Sequence, residues 1–251
     1  MPDPLIRTVP EIASTNSALL AQLAAGEVAA EGHWLVADRQ TAGRGRAGRI
    51  WTGGLGNFMG STGVALRDGE ALPQTLALVA GVSVHRALMA VVPGLSDLAL
   101  KWPNDLLVGE AKLGGILLER QRDAVVVGIG VNLAEAPDVP GRQTTSLAAL
   151  GHAVSRDVFA SALAAAWAED LITWHAGGWP ALRGEWLARA LPKGTLLGVN
   201  LAAEGHVIGA FAGLEPDGAV LLRLADGAVR AIHAGDVELI GAGGRPDASG
   251  G

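Results

Sequence analysis

Apolar and polar positions change rhythm several times along the chain, and each change marks an element. Ser14-Thr15-Asn16 precedes an Ala/Leu segment closed by Gly26, the cap-in, glycine-out signature of a short helix with the polar triplet at its N-terminus. Residues 33–37 read as a strand running into residues 38–56, where abundant glycine and four arginines leave little to pack and predict a loop. Residues 57–66 read as the return strand. Pro73 then opens an Ala/Leu/Val segment to about Val92 that is apolar nearly all round, the pattern of a buried helix. Residues 98–102, 106–108, 112–119 and 125–133 are short strand-like runs separated by Pro-Asn-Asp, Gly-Glu and Arg-Asp turn signals, which predicts an antiparallel meander. Helical rhythm returns over 155–191, with Trp167 and Trp174 seven apart and Trp179 and Trp186 seven apart, a spacing that predicts core packing for all four.

After Pro192 the texture becomes short β segments at 195–201, 206–214, 219–224, 228–233 and 237–240, a pattern that predicts a small barrel. The expected organisation is an α+β domain over residues 1–191, a mixed or antiparallel sheet covered by helices, then a barrel over 192–241 and a glycine-rich, disordered tail over 242–251. No internal repeat is visible.

Composition narrows the function classes. The net charge of −6 argues against a large basic footprint for duplex nucleic acid. With no cysteine, the chain has no disulfide scaffold, no thiolate metal site and no cysteine nucleophile. Its most apolar stretches, such as 76–84, fall far short of the roughly 20 residues of a membrane helix, and Met1-Pro2-Asp3-Pro4 does not open a signal peptide. A soluble cytoplasmic protein is expected. Of 19 basic side chains only Lys101, Lys112 and Lys193 are lysines, so the positions that keep lysine draw the eye.

Three constellations carry candidate chemistry. Gly43-Arg44-Gly45-Arg46-Ala47-Gly48-Arg49 matches G-x-G-x-x-G after a strand, with Asp68 twenty residues beyond Gly48. A dinucleotide fingerprint needs a helix to start inside the glycines, and Ile50-Trp51-Thr52-Gly53-Gly54 does not propagate one. What remains is arginines on a flexible backbone that either wrap phosphate oxygens or form a solvated basic turn. Lys101-Trp102-Pro103-Asn104-Asp105, with Lys112-Leu113-Gly114-Gly115-Ile116 beyond it, places two of the three lysines, Asn104 and Asp105 within twelve residues. Asp105 and Lys112 either face one pocket across a hairpin or form a surface ion pair. Gly128-Ile129-Gly130-Val131-Asn132 is a strand whose glycines leave room for a ligand or another chain, ending in an amide. No P-loop and no metal-spaced histidine pair is present, and 81–85 lacks the last glycine of a hydrolase elbow, so any metal should arrive with a nucleotide.

In order and spacing, Ser14-Thr15-Asn16, Gln40, the Gly43–Trp51 loop, Lys101-Trp102-Pro103-Asn104-Asp105, Lys112-Leu113-Gly114-Gly115-Ile116 and Gly128-Ile129-Gly130-Val131-Asn132 resemble the biotin protein ligases. The resemblance implies a catalytic domain like that of class II aminoacyl-tRNA synthetases followed by an SH3-like barrel. It also implies ATP-dependent biotinylation of a lysine on biotin carboxyl carrier protein or a carboxylase biotin domain, through biotinyl-5′-AMP with release of pyrophosphate. ATP and Mg2+ are the implied co-substrate and ion. Ser14, Thr15, Asn16, Gln40, Arg44, Gly45, Arg46 and Lys112 fall on the family's biotin-site positions. Arg44, Arg46, Arg49, Trp51, Asn104 and Asn132 are assigned to the nucleotide or adenylate, and Lys112, Arg46 and Asp105 to catalysis. Asp105 either orients the acceptor lysine or holds magnesium. Thirteen residues precede Ser14, so the short type without a DNA-binding domain is implied, and the family admits a homodimer through a sheet edge. The alternatives are a lipoate–protein ligase or octanoyltransferase of the same superfamily, disfavoured by the Arg-Gly-Arg loop with Lys-Trp-Pro-Asn-Asp, and a silent biotin or nucleotide sensor, disfavoured because Lys112 and Asp105 are both present. Ala47 stands where many members carry a further polar residue.

Overall fold

A computed structural model describes residues 5–201 and 205–240. The chain divides into two compact units between Ala190 and Leu191.

The first unit is built on a seven-stranded sheet in the order β1-β2-β3-β7-β6-β5-β4. Its strands are β1 (Ile6–Ile12), β2 (Trp34–Gln40), β3 (Phe58–Ala65), β4 (Leu98–Lys101), β5 (Asp105–Val108), β6 (Ala111–Gln121) and β7 (Ala124–Val131). The predicted meander is present as β4 to β7, antiparallel throughout, and only β1 runs parallel to its neighbour β2. β1 is the strand that periodicity does not announce. All seven of its residues are half-buried or exposed, in no alternating order, and Pro10, which has no ladder donor, suits an edge.

Helix α1 (Thr15–Ala24) starts at the predicted cap, where Ser14 is extended and its hydroxyl accepts from the Ser17 N–H at 3.3 Å. It buries Leu23 with Leu19 and Leu20 against Ala124 and Val126. Strand alternation puts Gly128 and Gly130 on that same face, and their cross-strand partners are Ser61 and Met59. Trp34, Thr62 and Val127 are in register on the other face. There Trp34 and Phe58 meet Phe159 and Trp167 of α3 (Arg156–His175) edge to face at 5.2–6.4 Å. The long predicted helix is α2 (Thr75–Val91), eleven of whose residues are buried, and it packs against α3 and α4 (Trp179–Arg189). Trp167, Trp174, Trp179 and Trp186 are all core residues, at most 5% exposed. Trp174 Nε1 donates to Thr75 Oγ1 at 2.9 Å. Within this helical layer Asp170 accepts from Ser83 at 2.7 Å and Arg86 at 2.7 Å, a buried charge with partners.

The second unit is a five-stranded antiparallel sheet, β11-β10-β9-β8-β12, from β8 (Leu196–Leu201), β9 (Gly205–Leu214), β10 (Val220–Arg223), β11 (Val229–Ile232) and β12 (Asp236–Leu239). Leu197, Val199, Phe211, Val220, Leu222 and Val237 form its interior. All five predicted segments are strands. Among the described residues no pairing joins β11 to β12, so the ladder is SH3-like without being closed. The expected disordered tail lies outside the described residues. No helix among the described residues is long and apolar enough to cross a membrane.

His85 on α2 carries a testable consequence. Burial first, and the Arg189 charge second, lower its imidazole from 6.5 to about 4, against a hydrogen bond at the Leu98 backbone. The unfolded chain therefore binds the extra proton between those values, and folding stability is expected to fall as pH drops from about 6.5 to about 4. Thermal unfolding across that range should show this loss, and His85→Gln should flatten it.

Candidate active site

Two strand ends make the first half of the site. Because β1 and β2 run parallel, their C-terminal ends lie side by side, and Thr41 N–H donates to Ile12 O at 3.0 Å. That brings Gln40 to the start of α1. Gln40 Oε1 accepts from the Thr15 N–H at 2.8 Å and lies 3.2 Å from Thr15 Oγ1. Thr15 Oγ1 is 2.7 Å from Ser61 Oγ, Ser61 donates to Asn16 Oδ1 at 2.6 Å, and Asn16 Nδ2 donates to Glu119 at 2.9 Å. Thr15, Asn16 and Ser61 are all buried.

The second half is a triad of charges, with Lys101 and Asp105 buried and Lys112 half-buried. Lys101 and Asp105 are register partners across β4 and β5, with Lys101 Nζ 2.9 Å from Asp105 Oδ2. Lys112 Nζ pairs with the other oxygen. The β5–β6 register shifts by one residue, Asp105 opposing Gly115 but Leu107 opposing Lys112. Without that bulge Lys112 would point to the opposite face from Asp105; with it, both share one. The surface ion pair of the sequence alternatives is therefore corrected, since Asp105 is 8% exposed. Burial alone would raise its carboxyl, but the Lys112 and Lys101 ammoniums outweigh burial and hold it at about 2. Burial pulls the Lys112 ammonium below its ordinary range, and Asp105 opposes that pull.

The arginine loop is tied at its base by an antiparallel Arg44–Ile50 bridge and by hydrogen bonds from Gly45 N–H to Arg49 O at 2.8 Å and Trp51 N–H to Gly43 O at 3.0 Å. Only a 3-10 turn, Arg46–Gly48, forms inside it, with Ala47 at φ 53°, so no helix receives a pyrophosphate there. The three guanidiniums diverge. Arg44 pairs with Glu119 and donates to Ser17 Oγ at 3.2 Å, Arg46 donates to Asn104 Oδ1 at 3.2 Å, and Arg49 donates back to Arg46 O at 3.2 Å.

The β7 glycines are occupied by the chain itself, not by a partner chain. A Cβ on Gly128 would lie 2.0 Å from Asn16 Oδ1, and one on Gly130 would lie 2.4 Å from the Trp51 ring. Trp51 thus packs against the sheet at Gly130, with Lys112 Nζ 5.8 Å from its ring centroid.

One chamber collects Ser14, Thr15, Asn16, Gln40, Arg44, Gly45, Arg46, Arg49, Trp51, Asn104, Lys112 and Asn132. Asp105 is not on its wall; it stands behind Lys112. Arg142 and Thr144 also line the chamber, because residues 143–145 run beside β6, with Lys112 N–H donating to Gln143 O at 2.9 Å and Thr145 N–H to Lys112 O at 2.9 Å. Nothing local in the sequence signals that contact. Glu119 and Ser61 were also missed, although a carboxylate ending an apolar strand was a visible anomaly. Two buried polar atoms at the wall have no protein partner, Trp51 Nε1 and Asn132 Oδ1. They offer one donor and one acceptor. Among the described residues no cluster of three or more His, Cys, Asp or Glu side chains could hold a metal.

The architecture is that of solved biotin protein ligases. Biotin protein ligase from Aquifex aeolicus in complex with biotin and ATP superposes with a TM-score of 0.81 at 28% identity, over 94% of this chain and 99% of that one. The profile of the biotin/lipoate A/B protein ligase family matches residues 9–133, and that of the biotin protein ligase C-terminal domain matches 198–240. The biotin--[acetyl-CoA-carboxylase] ligase of Paracoccus denitrificans is 38% identical over 202 residues, covering 76% of this chain and 83% of the relative. The enzyme of the same name from Mycobacterium tuberculosis is 36% identical over 235 residues, 91% and 86% of the two chains. The chain belongs to the biotin/lipoate A/B protein ligase family and groups within it with the biotin protein ligases.

Asp105→Asn should leave the buried Lys101 ammonium and the half-buried Lys112 ammonium facing each other and destabilise the first unit by about 3 kcal/mol, read as a shift of the denaturant midpoint. The native carboxyl is held below its ordinary 3.8, so its stabilisation is complete above about pH 4 and lost as pH falls toward 2. The variant should lack that acid limb.

Proposed function

We propose that the chain joins biotin to a lysine of a biotin carboxyl carrier protein or carboxylase biotin domain, using ATP. The observation that carries this reading is the convergence of a polar corner, an apolar floor, a half-buried lysine and an arginine loop on one chamber. Thr15, Gln40 and Ser14 supply hydrogen-bonding groups suited to the ureido ring, and Gly115, Ile116, Gly130 and Trp51 give the apolar wall for the thiophene and tail.

In the first step the biotin carboxylate attacks the α-phosphorus of ATP. A bond forms from carboxylate oxygen to phosphorus, the α–β bridge breaks, and pyrophosphate leaves. Two anions must approach each other, and Lys112 is the ammonium at the meeting point, held in place through Asp105 by the second lysine. Its charge offsets the repulsion and then stabilises the charge that grows on the pentacoordinate phosphorus. Trp51 Nε1 and Asn132 Oδ1 are the unpaired donor and acceptor that an adenine edge would satisfy. Arg44, Arg46 and Arg49 close over the adenylate and keep water from its anhydride. In the second step the acceptor amine attacks the acyl carbon and AMP leaves.

Both Asp105 oxygens are already taken by ammoniums, so the carboxylate is a poor magnesium ligand and acts by positioning Lys112. Magnesium would enter on the nucleotide phosphates, keeping most of its waters. A cytoplasmic setting supplies ATP and suits a chain without cysteine.

The test is biotin-dependent exchange of labelled pyrophosphate into ATP by purified protein with magnesium, in parallel with lipoate and octanoate. Exchange is expected with biotin alone; exchange with lipoate, or with no acid, overturns the reading. Lys112→Ala should slow single-turnover adenylate formation about 100-fold or more. Arg46→Gly removes the tether to Asn104 and should release adenylate about tenfold faster, seen as biotinylation of lysines on a bystander protein.

A further inference from the structure

Glu119 belongs to none of the motifs, yet it ends a chain of hydrogen bonds whose direction it sets. An ionised carboxylate accepts and cannot donate. Glu119 Oε1 is occupied by the Arg44 guanidinium, and Oε2 accepts from Asn16 Nδ2 at 2.9 Å. The Asn16 amide is thereby fixed with its carbonyl oxygen toward Ser61. That oxygen has no hydrogen, so the single Ser61 proton is spent on the 2.6 Å bond to it. The 2.7 Å contact between Ser61 and Thr15 must then take its proton from Thr15. Gln40 Oε1, already satisfied by the Thr15 N–H at 2.8 Å, receives no second proton from the hydroxyl. Thr15 Oγ1 is left with lone pairs alone to offer the chamber.

We propose that Glu119 is a specificity-determining positioning residue, which makes the Thr15 hydroxyl an obligate acceptor and so selects a ligand presenting an N–H at that point. The inference rests on the biotin reading, since a cyclic urea supplies N–H donors there. Burial makes the selection strong: Ser61 is fully buried, Thr15 3% and Asn16 4% exposed, so no water re-routes the protons. Gly128 is part of the device, because any Cβ there would drive the Asn16 amide out of line.

An isosteric change should reverse the chain. In Glu119→Gln the introduced amide must keep its carbonyl toward the donating Arg44, which turns its NH2 toward Asn16. Asn16 then flips, Ser61 accepts from it and donates to Thr15, which takes one Thr15 lone pair and frees the Thr15 proton to swing toward Gln40 Oε1, 3.2 Å away, or the chamber. Glu119→Asp retains an acceptor-only end. In Arg44→Leu/Glu119→Gln the introduced amide is free to turn its carbonyl to Asn16, which restores the original direction.

The experiment measures pyrophosphate exchange with biotin and with the two carbamate analogues in which one or the other ureido N–H is replaced by oxygen. Wild type should prefer biotin over one analogue by about ten- to a hundredfold in kcat/KM, the cost of a buried acceptor left unpaired. Glu119→Gln should raise the KM for biotin about tenfold, leave kcat within about threefold, and reduce the preference to about threefold or less. Glu119→Asp and the double variant should keep the preference. A Glu119→Gln enzyme that discriminates like wild type, or a double variant that does not recover, overturns the proposal. If Glu119→Gln does not fold, as judged by its thermal unfolding, the double variant and Glu119→Asp still test the rule. Failure of wild type to exchange with biotin would instead overturn the functional reading on which the proposal stands.

Discussion

Two missing methyl groups on β7 set the depth of the chamber. Side chains on a central strand stand away from the sheet and hold neighbours off, but Gly128 and Gly130 hold nothing off. Asn16 lies down on the first and Trp51 on the second, so a polar wall from α1 and an aromatic floor from the arginine loop come within reach of the same ligand. With alanine at either place, the loop and helix that meet there would stand apart, and the groups gathered by the rest of the fold would face water.

Lysine is rare in this chain, and its use is telling. Arginine serves the loop and the surface, where a fork-shaped donor can engage carboxylates and amides from several directions. Lys101 and Lys112 instead flank one buried carboxylate, each giving a compact charge to one oxygen. The arrangement leaves a net positive charge beside the chamber, which is what the approach of two anions requires. It also explains why Asp105 is not on the wall: its role is exerted through the lysine in front of it.

Much of this was legible in the sequence, for identifiable reasons. Apolar runs bounded by turn signals located β2 through β7, a cap signal located α1, an all-round apolar segment located α2, and the tryptophan spacings gave the helical core. Three features stayed hidden. β1 has little buried face and therefore no period. The bulge that turns Lys112 toward Asp105 is a property of pairing, and pairing is not written in either strand alone. Residues 137–144 reach the wall through backbone contacts with β6, which any sequence could make. The motifs named Ser14-Thr15-Asn16 and the arginines but not what orders them, because the ordering residue, Glu119, sits 103 positions from Asn16.

The parallel pairing of β1 with β2 joins two things that would otherwise be separate. β1 is the least covered strand of the sheet, yet it leads directly into Thr15, while β2 leads into Gln40. Any ligand gripped by both residues holds the ends of the two strands together. Occupancy of the chamber and docking of the edge strand are thus one thermodynamic equilibrium. A bound ligand would therefore brace the parallel seam at the sheet's edge as well as fill the site.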